Sequence, residues 1–382
     1  MKVAPGKTIM LFGLGDLGSW VLEYVAREPG ISRLITCDPR EDWGALKTTS
    51  VQVSAGHIGL PVTCTYEKVD VFNLDHTAEL IEKYEPDLIY AAMSLLSWWV
   101  PTMLPPEVHE DILKAAGPLL PTHATLVARL MMALRETGLR PLVVNHSWPD
   151  LTNPILARNG LDVAVGAGNL DLIVAEIRRR VSDELDVPIP AVIVWFIGQH
   201  VLVMRDVGLG IPYFCKIVVD DSDVTEQFDI DALINGTFYR KVPAGVQTSW
   251  LMQNVVATCA LRIIRAMIND TGEVTHAPGP NGLIGGYPVR ADSTGVEVVL
   301  PAGISLEEAQ QINIEDSKFE GVQEIKEDGT LIFTEEAVEV MKNYFGMSQQ
   351  ELAFEDMADR AEEIVAAYKD LAKKHNAPTY FF

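Results

Sequence analysis

The chain has 382 residues, enough for two packed units, and 48% of them are hydrophobic, so apolar material for cores is ample. The formal net charge of −23 argues against nucleic acid or an anionic membrane surface as a partner. The longest apolar runs, at 191–198 and 201–204, are too short to span a bilayer. Residues 1–7 show no charged n-region leading into an apolar h-region, so no signal peptide is expected. Four scattered cysteines (Cys37, Cys64, Cys215, Cys259), with neither CxxC nor metal spacing, read as reduced thiols of a cytoplasmic protein. The histidines form no HxxxH or HExxH pair, so no catalytic metal is expected.

In chain order, the apolar run 7–12 predicts a strand that opens directly onto Gly13-Leu14-Gly15-Asp16-Leu17-Gly18. A helix is predicted over 19–27, strands over 33–37 and 61–69, a helix over 74–84 and an apolar strand over 87–92. An amphipathic helix at 123–137 and a strand at 140–145 follow. Strands separated by helical patterns imply βαβ crossovers and a parallel, doubly wound sheet. Ligands of such sheets bind beyond the carboxyl ends of the strands. That rule sends the glycine turn, Asp38, residues 91–93 with Ala92 and Met93, and residues 145–148 to one crevice.

The glycine turn carries its own chemistry. The first glycine allows the tight strand-to-helix turn, the second lets the backbone approach a pyrophosphate, and the third allows close helix–strand packing. Asp38, twenty residues after Gly18, ends the second strand, where an acid binds the ribose hydroxyls of a dinucleotide. Its carboxylate favours NAD by repelling a 2′-phosphate, whereas Arg40 two residues on offers that phosphate a partner, so NADP stays open. Asp16 is unusual inside such a turn and reads as solvent-facing or a local cap.

After residue 150 the pattern changes to mixed α+β. A helix is predicted over 170–185, strands over 191–196, 201–205 and 213–219, and a long helix over 248–269. A hairpin at 283–290 and 295–300 precedes helices at 306–320 and 351–374. The expected organisation is therefore a dinucleotide-binding domain at 1–150 and a catalytic domain at 151–382 ending in a helical extension. The terminal Tyr380-Phe381-Phe382 either docks on its own subunit or joins an interface.

Four later segments, in order, resemble the L-lactate/malate dehydrogenase family. Gly166-Ala167-Gly168-Asn169-Leu170-Asp171 is similar to the glycine-rich turn that opens the family's catalytic helix. Phe196-Ile197-Gly198-Gln199-His200 resembles the segment with the catalytic histidine, and Thr248-Ser249-Trp250 the substrate-pocket Thr-Ser-Trp. Tyr287-Pro288-Val289-Arg290, running into 295–300, resembles the late hairpin. The resemblance implies a Rossmann sheet with a lactate/malate-dehydrogenase-type α+β domain, a nicotinamide cofactor and a homo-oligomer, dimeric or tetrameric. It implies His200 as acid/base and Asp171 as its orienting partner, a pairing suited to proton transfer near neutral pH. It also places Asn145, or in a register shifted by one His146, beside the nicotinamide and substrate.

Two departures bear on the substrate. The family's carboxylate-binding arginine, three residues after the aspartate, is replaced by Val174, and the loop after the fourth strand is Ser94-Leu95-Leu96-Ser97-Trp98-Trp99-Val100-Pro101, without a basic residue. A valine cannot supply a guanidinium fork. The favoured expectation is thus a hydride-transferring enzyme for a largely hydrophobic alcohol or ketone, bound by Trp98, Trp99, His146, Val174, Thr248 and Trp250. The alternatives are a 2-hydroxy acid dehydrogenase whose anion contact comes from Arg205, Arg240 or Arg290, and a nicotinamide-binding sensor without turnover.

Overall fold

A computed structural model describes residues 6–241 and 250–379. Its centre is a six-stranded parallel sheet formed by β1 (Lys7–Phe12), β2 (Ile31–Asp38), β3 (Thr63–Lys68), β4 (Leu88–Ala91), β5 (Leu142–Asn145) and β6 (Val165–Gly166), in the order β3-β2-β1-β4-β5-β6. The order reverses beside β1, between β1 and β4, which creates the crevice at their carboxyl ends. The central strands β1, β4 and β5 are largely apolar because both their faces are covered, whereas the edge strand β3 is mostly polar. Ile9 and Leu11 face one core, with α1 (Asp16–Val25); Met10 and Phe12 face the other, with α3 (Leu74–Tyr84) and α5 (Pro121–Thr137). Local signals bound these helices. Asn73 accepts the His76 N–H at 3.2 Å to start α3, and Gly138, at φ +70°, ends α5.

Helix α2 (Glu41–His57) follows β2 and has no apolar stripe: Thr48, Val51 and Ala55 are buried while Trp43, Leu46 and Val53 are exposed. That is why periodicity alone does not reveal it. Between β4 and α5 lies α4 (Pro106–Lys114), and α6 (Pro149–Arg158) follows β5.

The second half begins with α7 (Asp171–Leu185) and β7 (Val192–Ile197). Residues 201–205, expected as a strand, instead start with a short helix, α8 (Val201–Met204), because the turn at Gln199 and His200 ends the sheet register. Strands β8 (Phe214–Val219) and β9 (Ser222–Asp223) pair antiparallel with β7, and α9 (Ile230–Asn235) and α10 (Trp250–Asn269) follow. Helix α10 packs on α1 and ties the halves together through Arg265, which donates to the Glu28 carboxylate at 2.7 and 2.9 Å. Strands β10 (Val274–Pro278), β11 (Gly286–Asp292) and β12 (Gly295–Val298) form the late meander, followed by α11 (Leu306–Phe319), which starts with a Ser305/Glu308 capping box.

The chain then returns to the first half. Strands β13 (Val322–Ile325), β14 (Leu331–Phe333) and β15 (Glu351–Leu352) form a small sheet around α12 (Glu335–Phe345), and α13 (Met357–Lys374) packs along α5. The extension thus docks on its own subunit; Tyr380-Phe381-Phe382 lie outside the described residues. No described helix is long and apolar enough to cross a membrane.

Candidate active site

The glycine turn has the form a dinucleotide requires. Gly13 has φ +93°, and a Cβ there would meet the Ala92 carbonyl oxygen at 2.3 Å. A Cβ on Gly18 would stand 1.9 Å from the Gly13 oxygen, so this glycine is needed for the turn itself. At Gly15 a Cβ would meet nothing within 4 Å: the space above the turn is open for a ligand. No side chain caps the first turn of α1, whose N–H groups therefore face that space. These features fit a pyrophosphate.

Asp38 sits at the end of β2 as expected, but it is buried and fully engaged. Its Oδ2 accepts the Leu14 N–H at 2.8 Å and Arg40 Nη2 at 2.9 Å, and its Oδ1 accepts the Arg40 N–H at 3.0 Å and Nε at 2.9 Å. Burial pushes its pKa up, but the Arg40 and Leu14 hydrogen bonds outweigh it and hold the carboxyl below its usual range.

From this turn a cleft of about 760 Å³ runs to His200. Gly15, Asp16, Leu17, Gly18 and Arg40 line one end, with Ala92 and Met93 from the end of β4. Trp98, Trp99, His146 and His200 line the rest, together with Trp148, His123 and Glu320. Of the segments expected in one crevice, the cleft brings together residues 15–18, Ala92, Met93 and residues 146–148, whereas Asp38 and Asn145 do not line it.

His200 is partly exposed to the cleft, and its Nδ1 stands 3.6 Å from Glu320 Oε1. The other Glu320 oxygen accepts the Trp148 indole N–H at 3.1 Å, so one carboxylate orients both rings. Burial lowers the His200 pKa, but Glu320 by hydrogen bond and charge, and Asp150 by charge, raise it above the ordinary histidine value. The segment carrying His200 is pinned by α11: the Gln199 N–H donates to Asp316 Oδ2 at 2.9 Å, and Gln199 Nε2 to Ser317 Oγ at 2.7 Å. Behind it, Asp150 is wholly buried and accepts from Asn169, with its Oδ1 unpartnered, and burial pushes its pKa to about 7. Trp148 and Asn169 both have left-handed backbones, at φ +47° and +55°. For a bulky tryptophan this is a strained conformation, held here by the Glu320 bond and by its edge contacts with His123 and His200.

Several expected positions lie elsewhere. Asp171 does not meet His200. It is buried at the start of α7 with Arg262 Nη1 3.7 Å away, and Arg262 also bonds Glu273 at 2.9 Å. The carboxylate at His200 is Glu320, which comes from a distant segment. Val174 is sealed in the core with Leu170, Ile177 and Val181, as its helical spacing requires, and Leu172 faces the cleft instead. Asn145 is also buried, donating to Asn153 Oδ1 at 2.9 Å and accepting the Ser147 N–H at 2.8 Å. Its neighbour His146 lines the cleft, bonded through Nδ1 to the Tyr90 hydroxyl at 2.8 Å; burial drops its pKa to about 3, so it is neutral. Thr248 lies outside the described residues, and so does the side chain of Trp250, which opens α10. Arg205 and Arg240 line the cleft, whereas Arg290 pairs with Glu297 on the hairpin. Among the described residues no cluster of three or more His, Cys, Asp or Glu could hold a metal.

Sequence reasoning missed Glu320 and His123, and it placed Trp148 only as part of the crevice segment 145–148. No motif marks them: Glu320 follows the last turn of α11, and His123 reads as one more position of the amphipathic α5.

The architecture has solved counterparts. The MGS-M5 lactate dehydrogenase from a Medee basin deep-sea metagenome library superimposes with a TM-score of 0.60 over 83% of this chain and 97% of its own, at 12% identity. The minor L-lactate dehydrogenase from Enterococcus mundtii matches with a TM-score of 0.59 over 82% and 96%, at 15% identity. Malate dehydrogenase from Salinibacter ruber matches with a TM-score of 0.57 over 82% and 95%, at 18% identity. The chain has the lactate/malate dehydrogenase fold. No protein-family model and no curated protein sequence matches it, so the likeness is one of architecture. Within this lactate/malate dehydrogenase fold, residues 94–105 correspond to the loop after the fourth strand, and here the C-terminal extension packs over them.

Proposed function

We propose that the chain is an oxidoreductase that moves a hydride between a nicotinamide dinucleotide and the carbonyl or secondary alcohol of a small, largely apolar molecule. The observation that carries this reading is the single cleft shared by the glycine turn and the His200–Glu320 pair. Gly13, Gly15, Gly18 and the first turn of α1 would hold the pyrophosphate, with Ala92 and Met93 alongside. When bound, the cofactor supplies or accepts the hydride.

The protein's part is the proton. Reduction of a carbonyl leaves an oxygen that needs a proton, and oxidation needs one removed. His200 can do both, because Glu320 faces Nδ1 and leaves Nε2 as the nitrogen available to substrate. The Glu320 carboxylate favours the charged ring and thereby the loaded donor. His123, on the far side of Trp148, is unsuited to this work: burial, with a smaller contribution from His200, pulls its pKa to about 4. The substrate end of the cleft is lined by Trp98, Trp99, Leu172, Met204 and Val256, which suits an apolar body.

One observation supports a second reading, oxidation of a 2-hydroxy acid. Arg205 and Arg240 line the cleft and are held by carbonyl oxygens, Arg205 Nη1 to Phe319 at 2.8 Å and Arg240 Nη2 to Leu202 at 2.7 Å, and a guanidinium so held still has N–H groups that no described residue takes up. A panel of ketones and secondary alcohols, followed by absorbance of the reduced nicotinamide, separates the two. Apolar ketones are expected to turn over, and strong activity on pyruvate or oxaloacetate would favour the second reading. His200→Asn should cost at least about a hundredfold in kcat with cofactor binding intact. Turnover surviving in that variant would remove His200 from the mechanism, and cofactor binding with no turnover of any substrate would identify a sensor.

A further inference from the structure

We propose that the chain takes the 2′-phosphorylated dinucleotide, NADP(H), in preference to NAD(H), with Arg40 as the residue that reads the phosphate. The inference rests on the dinucleotide reading above and concerns only its adenosine end.

A carboxylate at the end of the second strand selects NAD by accepting hydrogen bonds from the ribose hydroxyls. A carboxylate offers about four acceptor positions. In Asp38 all of them are taken: two donors, the Arg40 N–H and Nε, reach Oδ1, and two more, the Leu14 N–H and Arg40 Nη2, reach Oδ2, each at 2.8–3.0 Å. The Asp38 side chain is also only 2% exposed, so a ribose hydroxyl has neither a lone pair nor an approach. The Tyr66 hydroxyl, donating to the Asp38 carbonyl oxygen at 2.6 Å, holds the strand end in this arrangement.

Arg40 is placed in the opposite way. Its side chain is 57% exposed, lines the cleft beside Gly15 and Asp16, and uses only Nε and Nη2 on Asp38. The remaining guanidinium N–H groups match the geometry of a phosphate. The repulsion that Asp38 would exert on a 2′-phosphate is offset by this bidentate pair and by a second cation. Lys47 Nζ donates to the Leu14 carbonyl oxygen at 2.6 Å and to Ser19 Oγ at 2.6 Å, on the other side of the residue whose N–H binds Asp38. Asp16 also faces the cleft, and its charge is set against these two cations. The adenosine end thus presents a cation and a closed carboxylate.

The test is a titration of the full chain with NADPH and with NADH, read by energy transfer from protein tryptophan to the nicotinamide. Calorimetry with adenosine 2′,5′-bisphosphate and with AMP accompanies it. NADPH and the bisphosphate are expected to bind about tenfold or more tightly than NADH and AMP, with the margin shrinking as salt is added. Arg40→Ala should remove the preference and raise NADH affinity, since it frees acceptor positions on Asp38. Arg40→Lys, which keeps the charge that neutralises Asp38 but not the fork, should retain only part of it. Equal or tighter binding of NADH by the wild type overturns the inference, as does a preference that survives Arg40→Ala. Binding of none of the four ligands overturns the dinucleotide reading itself.

Discussion

His200 has its charge state set by a residue 120 positions away. Two opposing effects act on the ring: burial disfavours the imidazolium, and Glu320 with Asp150 favours it, and the carboxylates win. Glu320→Gln keeps the size and the acceptor for the Trp148 indole but removes the charge. The His200 pKa should then fall. Carbonyl reduction needs the protonated ring and is lost as pH rises through that pKa, so its alkaline limb should move to lower pH. A kcat loss of about tenfold or more with little change in cofactor binding is expected. An unmoved pH profile would show that Glu320 serves Trp148 alone. The histidine itself was legible in Gly198-Gln199-His200, but its partner was not. Helical spacing and motif order specify local neighbours, and the Asp171 match said nothing about Arg262, which claims that carboxylate from α10. At Asp38 the sequence indicated both a carboxylate and an arginine, and only the folded geometry shows that the second covers the first.

At the scale of elements, the C-terminal extension decides what the loop after β4 can do. Leu96, Val100, Leu104 and Leu119 share one apolar cluster with Met341, Phe345, Ile364 and Tyr368 of α12 and α13. The Tyr368 hydroxyl, fully buried, donates to the Val100 carbonyl oxygen at 2.8 Å, and the Tyr344 hydroxyl donates to Asp111 Oδ2 at 2.7 Å. A loop whose backbone carbonyl is bonded from the core of a packed layer is a wall of the cleft. Tyr368→Phe should cost about 1 kcal/mol by removing that hydrogen bond, and Tyr368→Ala about 3–5 kcal/mol by adding a cavity. Urea midpoints measure both, and near-equal losses for the two would show that the aromatic ring does not hold the layer. The apolar loop was visible in sequence, and the tryptophans do line the cleft. The small sheet β13–β15 and α12 were not read from the sequence, because two- to four-residue strands carry too few alternations to stand out.

Across the whole molecule, the buried carboxylates behind His200 couple folding to pH. Asp150 goes from an ordinary value of 3.8 to about 7 on folding, chiefly through burial and then through Glu320. A pKa raised on folding means that the native state binds more protons, so this contribution is complete below about pH 4 and is lost as pH rises toward 7. At about 1.4 kcal/mol per unit the loss is on the order of 4 kcal/mol. His200 and Asp316, also raised, act in the same direction. Asp150→Asn should therefore flatten the fall in melting temperature between pH 5 and 8 and melt higher than wild type at pH 8. A wild-type melting temperature that rises steadily across that interval would contradict the assignment. By itself the sequence determined the doubly wound sheet, the glycine turn and the candidate histidine, because each is written in local periodicity or in contiguous residues. Tertiary structure alone decided which carboxylate faces His200 and that the extension closes the cleft wall. Those outcomes depend on contacts between segments more than 100 residues apart, which compete for the same buried charges and apolar surface and leave no local pattern to read.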